Sequence, residues 1–242
     1  MKYATATDKK LVLIYLDGGN DGLNIVILLS QLSALNAVRP HVVLSENKIL
    51  PLVNSSLGLH PAFSGFKELH DENRLSIIQS VGYPNQNFSH FRSSDIWLSG
   101  SESNELLISG WAGRMLTDTH SNFPEGYPNA ENPHPLAVEI GFGSSLLFQG
   151  GSASMSMVLN NANFFYQLLN NEVQEAPETN AGDKLIYIGL IAQQSRVYSQ
   201  ALKNASAKGT SQKTYPAENK LAQQLKVVAP LIKGGIETPL YL

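Results

Sequence analysis

The segment LVLIYLDGGNDG, residues 11–22, decides the fold class of this chain. Six apolar residues in a row, closed by two glycines after Asp17, are typical of a strand that is buried on both faces in a parallel sheet. Pro61 and the apolar residues after it, spaced by three and four, predict a helix, and residues 75–81 predict a second strand. Strand, helix and strand in this order predict the right-handed crossover unit of an α/β protein.

The rest of the chain extends this α/β pattern. Apolar periodicity and capping residues predict further helices over about 89–97, 110–119, 183–207 and 217–231, and strands over 135–140 and 237–242. The Gly- and Ser-rich segment 141–156 predicts loops or a short hairpin, and the polar segment 170–184 predicts a surface connection. Together the elements predict one doubly wound, mainly parallel α/β domain over residues 1–242.

The strand predicted over 237–242 stands at the end of the chain. In an α/β sheet such a strand normally leads into a loop and another helix, so we expect the domain to be incomplete at the C-terminus. An incomplete sheet would expose an unpaired edge beside this strand. The alternative is an edge strand at a natural terminus, which Pro239 allows.

Composition excludes several classes of function. The formal net charge is −3 and the 17 Lys and Arg residues are scattered, so we expect no nucleic-acid partner. The apolar runs are far too short to span a membrane, so we predict no integral membrane segment. The absence of cysteine excludes disulfides, thiolate metal sites and a cysteine nucleophile. The first residues lack the pattern of a signal peptide, so the protein is either cytoplasmic or has lost its signal.

The strongest candidate site is the loop after the first strand. Ligands of open α/β sheets gather outside the carboxyl ends of the strands, where this loop begins. Asp17 and Asp21, together with Asn20 and Asn24, supply the oxygen ligands that divalent cations prefer. The alternative is an ordinary turn in which these side chains bond to nearby backbone amides.

A second candidate lies at the predicted helix start near residue 89. The free amides and the dipole of a helix start favour an anion or the alkoxide of an activated serine, which Ser89 could provide. His90 and Arg92 could add a base or ligand and a charge clamp. The alternative is that Ser89 is only an N-cap. His60, just before the helix that Pro61 begins, is either a metal ligand or a hydrogen-bonded structural histidine.

These segments together resemble a bacterial family known as domain of unknown function 1501. The resemblance is carried by motifs in matching order through at least Gly141, namely Gly-Gly-Asn-Asp-Gly-Leu-Asn (18–24), Arg-Pro (39–40), Gly-Leu-His-Pro (58–61), Val-Gly-Tyr-Pro-Asn (81–85), Ser-His-Phe (89–91) and Asp-x-Trp (95–97). Family members usually continue into a Gly-Phe-Asp-Thr-His-like loop and a later Asp-His-Gly motif, which would follow Leu242 here. They are also exported, which implies a periplasmic or secreted protein.

The family is similar to the alkaline phosphatase and sulfatase superfamily, and this similarity implies a fold and a site. The implied fold is an alkaline-phosphatase-like doubly wound sheet. Asp17 or Asp21, helped by His60, would bind a divalent metal ion, and Ser89 would be the nucleophile or its relic, with His90 beside it. We expect the loop and Ser89 to open on the same edge of the sheet.

Two functions from different classes remain open. The first is a metal-dependent hydrolase of phosphate or sulfate esters, acting on a small molecule or a polymer, although this chain by itself is expected to be inactive. The second is a non-catalytic exported binding or assembly module that retains the fold. A nucleotide-binding module is less favoured because the sequence contains no phosphate-binding loop.

Overall fold

The computed structural model describes residues 9–16, 18–141, 143–151, 153–159 and 182–242, with side chains from residue 194 onward in the last range. The chain divides into two compact units. The smaller unit is Asp17–Gln86, and the larger unit joins Asn87–Leu242 to the chain up to Leu16. A single domain over residues 1–242 stays a prediction.

The described residues contain strands, helices and short 3-10 turns. The strands are β1 (Leu11–Val12), β2 (Val26–Leu28), β3 (Leu50–Pro51), β4 (Leu57–Leu59), β5 (Ala137–Ile140), β6 (Met157–Leu159) and β7 (Leu240–Tyr241). The helices are α1 (Gly22–Ile25), α2 (Leu32–Val38), α3 (Ser64–Asp71), α4 (His90–Ser99), α5 (Trp111–Thr119), α6 (Gly182–Lys208) and α7 (Lys220–Lys233). Short 3-10 turns are Leu29–Gln31, Glu46–Lys48, Pro61–Phe63 and Leu146–Phe148. No helix of the described ranges is both long and apolar enough to cross a membrane.

The larger unit is built on a parallel sheet with the strand order β1-β7-β5-β6. Leu240 of β7 is in register with Leu11 on one side and with Ala137 on the other. The strand predicted over 237–242 is therefore present, but its expected unpaired edge is wrong, because β7 is hydrogen-bonded on both sides. The chain end supplies an interior strand of the sheet.

Successive residues of these strands enter two hydrophobic clusters, because side chains alternate between the faces of a strand. Val138 and Tyr241 belong to the cluster that contains Leu202 of α6 and Leu231 of α7. The neighbouring residues Ala137 and Leu240 belong to the other cluster, which contains Leu116 of α5. Helices thus cover both faces of the sheet, and the predicted α/β class with a mainly parallel sheet is confirmed.

The smaller unit contains a three-stranded antiparallel sheet with the order β2-β4-β3. Its middle strand requires glycine at position 58, because a Cβ there would lie 2.4 Å from Cγ2 of Ile49 and 3.4 Å from the carbonyl oxygen of Leu50. The sequence did not predict this sheet, since its strands are only two or three residues long and carry no clear alternation.

Most predicted elements of the larger unit are present, with shifted ends. The helices predicted over 89–97, 110–119, 183–207 and 217–231 are α4 to α7, and residues 135–140 contain β5. The first strand is shorter than its apolar run: β1 ends at Val12, and Leu16 is 67% exposed. Full burial of that run on both faces is therefore wrong. The connection predicted over 170–184 lies almost entirely outside the described residues.

The strand predicted over residues 75–81 is wrong. No part of this segment is assigned to a strand, and Ile78 and Val81 are 82% and 80% exposed. Ser80 has a φ of +57°, a left-handed conformation that interrupts an extended run. Apolar composition alone does not make a strand, because the backbone also needs partners for its hydrogen bonds.

Candidate functional site

Asp21, the central acid of the predicted metal loop, is bound to an arginine. Its two carboxylate oxygens accept hydrogen bonds from the Arg39 guanidinium at 2.9 and 3.2 Å, and one of them also accepts from the Asn24 side-chain amide at 2.7 Å. These donors hold the pKa of the Asp21 carboxyl below its usual value, Arg39 contributing most. The carboxylate therefore already has a cationic partner with the bidentate geometry typical of arginine.

Among the described residues, no set of divalent-metal ligands comes together. Asp17 lies outside them, and Asp21 is engaged by Arg39. Across the described part of the chain, no three His, Asp or Glu side chains group closely enough to hold a metal. A hard cation needs several oxygen ligands at one point. The metal site implied by the resemblance stays a prediction, and no chemical step is derived through it.

His60 acts as a cap in this structure. Its Nδ1 accepts a hydrogen bond from the backbone N–H of Ala62 at 3.1 Å, which satisfies a free amide of the turn that begins at Pro61. Its own backbone N–H donates to the carbonyl of Ile25 at 3.0 Å. This arrangement corresponds to the structural alternative for His60.

Ser89 occupies the N-cap position of α4. Its Oγ accepts a hydrogen bond from the backbone N–H of Arg92 at 3.4 Å, and its own N–H donates to Oδ1 of Asn87 at 3.0 Å. The adjacent His90 is exposed at the first position of the helix. The predicted helix start is confirmed, and Ser89 lies where a helix dipole would favour an anion.

The Arg92 side chain is bonded within its own segment and is not positioned as a charge clamp for a substrate. Its guanidinium donates to the carbonyl oxygens of Glu102, Ser103 and Glu105, at 2.8 and 3.3 Å for the first two. These hydrogen bonds hold the loop after α4 against the first turn of that helix. Sequence reasoning assigned Arg92 to the site because it stands next to Ser89 and His90, but its side chain reaches along its own segment.

A cavity of about 200 Å³ lies at the carboxyl ends of the parallel strands in the larger unit. It is lined by residues 12–15 after and within β1, by Ile140, by Tyr241 and Leu242, and by Leu221, Gln224, Leu225 and Val228 of α7. Gln224 is held in place because its side-chain amide donates to the carbonyl of Ile140 at 2.8 Å. This is the edge at which α/β proteins bind ligands.

Tyr15 connects this cavity to α4. Its ring stacks on Trp97 with centroids 4.7 Å apart, and its hydroxyl is hydrogen-bonded to Oγ of Ser94. Ser94 is four residues after His90, so the two side chains lie on one face of the helix. Tyr15 is therefore a rigid wall of the cavity, fixed at both its ring and its hydroxyl.

Glu139 is a buried carboxylate that organises the loop after β5. One of its oxygens accepts from the backbone N–H of Ser145 at 2.8 Å, and the other accepts from the hydroxyl of Ser156. Ser156 is in turn 3.2 Å from Oγ of Ser154. Because Glu139 itself is 3% exposed, these donors stabilise a charge that would otherwise be costly to bury.

The smaller unit contains a wider cleft of about 420 Å³. It runs between the segment from Leu29 to Asn36 and the segment from Val43 to Glu46, and several of its lining residues are serines. Its lining contains no residue of the parallel sheet, so the α/β rule for ligand sites does not apply to it.

No protein-family model, curated protein or solved structure matches the chain. The resemblance carried by the Gly-Gly-Asn-Asp-Gly loop and the later motifs therefore stays a prediction from the sequence. Asp21 belongs to the smaller unit and Ser89 to the larger one, and their expected position on one edge also stays a prediction.

The sequence did not predict three residues that the structure places in the candidate sites. The apolar run predicts Tyr15 inside a buried strand, although its place just before the candidate loop is a signal for an edge position. Gln224 is a polar residue in a predicted helix, and no local pattern distinguishes it. Arg39 is 18 residues from Asp21, and no local pattern connects them.

Proposed function

We propose that the larger unit has the alkaline-phosphatase-like arrangement and serves as a binding module that takes its ligand at the carboxyl edge of the sheet. The cavity bounded by β1, β5, β7 and α7 is the observation that supports this proposal. In the candidate loop of the smaller unit, the described acid Asp21 is bound to Arg39 and is not a free carboxylate for catalysis. We also propose that the protein is exported and is periplasmic or secreted. The family resemblance supports this localisation.

The binding proposal is tested by methyl NMR on the full chain with four small probes: toluene, p-cresol, methylcyclohexane and 4-methylcyclohexanol. We expect at least one probe to shift the methyl signals of Ile14, Ile140 and Val228, with no shift at Val53 in the other unit. Leu225→Trp would fill the cavity and abolish the shifts, whereas Leu106→Trp, at a residue that is 78% exposed and outside the cavity, would leave them unchanged. Shifts that persist in Leu225→Trp, or the absence of any shift, would contradict the proposal.

A second candidate function is hydrolysis of phosphate or sulfate esters with Ser89 as the nucleophile and His90 as its neighbour. The position of Ser89 at the first turn of α4 favours it, because free amides there stabilise an anion or an alkoxide. The hydrogen bond from the Arg92 amide to Oγ is compatible with this role as well as with capping.

The hydrolase candidate is tested on the purified chain with aryl phosphate and aryl sulfate esters, adding Zn²⁺, Mn²⁺, Mg²⁺ or Ca²⁺ in turn. We expect no useful turnover, because the described residues do not assemble a metal site. Turnover that is lost in Ser89→Ala and kept in Ser121→Ala, at an exposed loop serine, would establish the hydrolase instead.

A further inference from the structure

The cavity at the sheet edge has a size and a lining that define a ligand class. Its volume of about 200 Å³ is well below the roughly 300–1,000 Å³ of sites for larger ligands. A cavity of about 150 Å³ lined by Leu, Ile and Phe side chains is known to accept benzene. The space therefore suits one six-membered ring with a small substituent.

The lining excludes charged ligands. Among the described residues that form the cavity, none has a charged side chain, and most are Leu, Ile or Val. A phosphate, sulfate or carboxylate placed there would lose its water without gaining a counter-ion, which is strongly unfavourable. The ligand must therefore be neutral where it enters the cavity.

Two features of the cavity lining discriminate between neutral ligands that contain a six-membered ring. Gln224 has its amide nitrogen bonded to the carbonyl of Ile140, so its carboxamide oxygen can accept a hydrogen bond from a ligand hydroxyl. Tyr15 lines the cavity and is immobilised by its stacking on Trp97, whereas Tyr241 is fully buried behind the wall. An aromatic side chain held in place favours an aromatic ligand through stacked or edge contacts.

We infer that the cavity bounded by Val12, Tyr15, Ile140, Gln224 and Val228 binds a small neutral phenol, with its ring between the aliphatic walls and its hydroxyl donating to Gln224. This inference rests on the proposed binding function and specifies its ligand. The phenol is a free ligand or the phenolic group of a larger molecule, and in both cases the ring and hydroxyl are the recognised parts.

The test compares dissociation constants of p-cresol, toluene and 4-methylcyclohexanol for the full chain, measured by methyl NMR titration. We expect p-cresol to bind about 3- to 10-fold more tightly than toluene, the net value of one hydrogen bond, and more tightly than 4-methylcyclohexanol. Gln224→Leu should abolish the preference over toluene, whereas Gln200→Leu, at an exposed position of α6, should preserve it. If Gln224→Leu does not fold, Leu225→Trp serves instead and should abolish p-cresol binding.

The outcomes separate this inference from the binding proposal. Equal affinity for p-cresol and toluene, or tighter binding of 4-methylcyclohexanol, would overturn the phenol assignment and leave the binding site in place. A preference that survives in Gln224→Leu would overturn the role of Gln224. Failure of every probe to bind would overturn the proposed function as well.

Discussion

At the scale of single residues, the ion pair of Asp21 with Arg39 sets the electrostatics of the candidate loop. Both oxygens of the carboxylate face the guanidinium, and Asn24 adds a third donor. The loop therefore presents a neutralised pair where its sequence indicated a free acid. Asn24 also donates to the carbonyl of Val42 at 2.9 Å, which ties the loop to the segment after Arg39.

We predict that Arg39→Gln raises the pKa of Asp21 toward its ordinary value of 3.8, because the largest cause of the lowering is removed. Because the pKa of Asp21 is lower in the folded protein than in the unfolded chain, its pair with Arg39 stabilises the fold fully above about pH 3.8. This contribution is lost as the pH falls through the pKa of Asp21 in the folded protein. Carboxyl NMR titration measures the shift. Arg74→Gln, which removes a partner of Glu72 only, is the control and should leave Asp21 unchanged. An unaltered pKa in Arg39→Gln would show that the pair does not form in solution.

Glu139 provides a second prediction at this scale. Glu139→Leu leaves the partly buried Ser145 amide without its acceptor, so we expect a loss of about 1–3 kcal/mol in the free energy of unfolding. Glu139→Gln should lower the free energy of unfolding by less. The carboxamide oxygen of the new glutamine can accept from the Ser145 amide, and the Ser156 hydroxyl can turn to accept from the glutamine NH₂ group. Urea unfolding measures both, with exposed Glu131→Gln as the control. Equal costs for the two substitutions would contradict this account.

At the scale of elements, close backbone approach decides how α5 packs. A Cβ on Gly113 would lie 2.2 Å from the carbonyl oxygen of Gln149, so no larger residue fits without movement of the backbone. A Cβ on Gly65 in α3 would meet no described atom within 4 Å beyond its chain neighbours and its own helix backbone. The packing therefore requires glycine at position 113 but not at position 65.

We predict opposite effects of alanine at these two positions. Gly113→Ala should lower the free energy of unfolding by about 1–3 kcal/mol through overpacking. Gly65→Ala should raise it by about 0.5–1 kcal/mol, because alanine loses less backbone entropy in a helix. Thermal or urea unfolding followed by circular dichroism measures both. A stabilising Gly113→Ala would show that α5 does not lie against the Gln149 backbone.

At the scale of the whole molecule, buried tyrosines make stability depend on alkaline pH. Burial raises the pKa of Tyr198 from 10.0 to about 12 and also raises the pKa of Tyr241. Tyr198 lies in α6 and is 4% exposed, and Tyr241 lies in the interior strand β7, within the cluster that α6 and α7 cover.

We predict that the protein loses stability as the pH rises from about 10 through about 12. An unfolded tyrosine ionises near 10, whereas the buried phenol stays protonated to higher pH, so its contribution is complete below 10 and is lost above it. Tyr198→Phe should reduce this alkaline loss and leave stability near neutral pH unchanged or slightly higher, because the Tyr198 hydroxyl is buried without a hydrogen-bond partner in the described residues. Unfolding in urea at pH 8, 10 and 11 measures it, with Tyr83→Phe as the control. An identical pH dependence in both variants would contradict the prediction.

The sequence by itself determined the features that depend on neighbouring residues. The apolar run at 11–16 and its closing glycines indicated an α/β sheet, and the capping residue Ser89 marked the start of α4. Asn219 likewise caps α7, accepting from the Ala222 amide at 2.9 Å. Capping and apolar periodicity act over a few residues, so they can be read without the fold.

Only the tertiary structure decided what depends on residues far apart in the chain. It showed that β7 lies between β1 and β5, that residues 75–81 form no strand, and that Asp21 is bound to Arg39. It also formed the cavity, whose walls come from both ends of the chain. Strand pairing, ion pairs and cavities are contacts between distant segments, and local sequence patterns do not specify which distant segments meet.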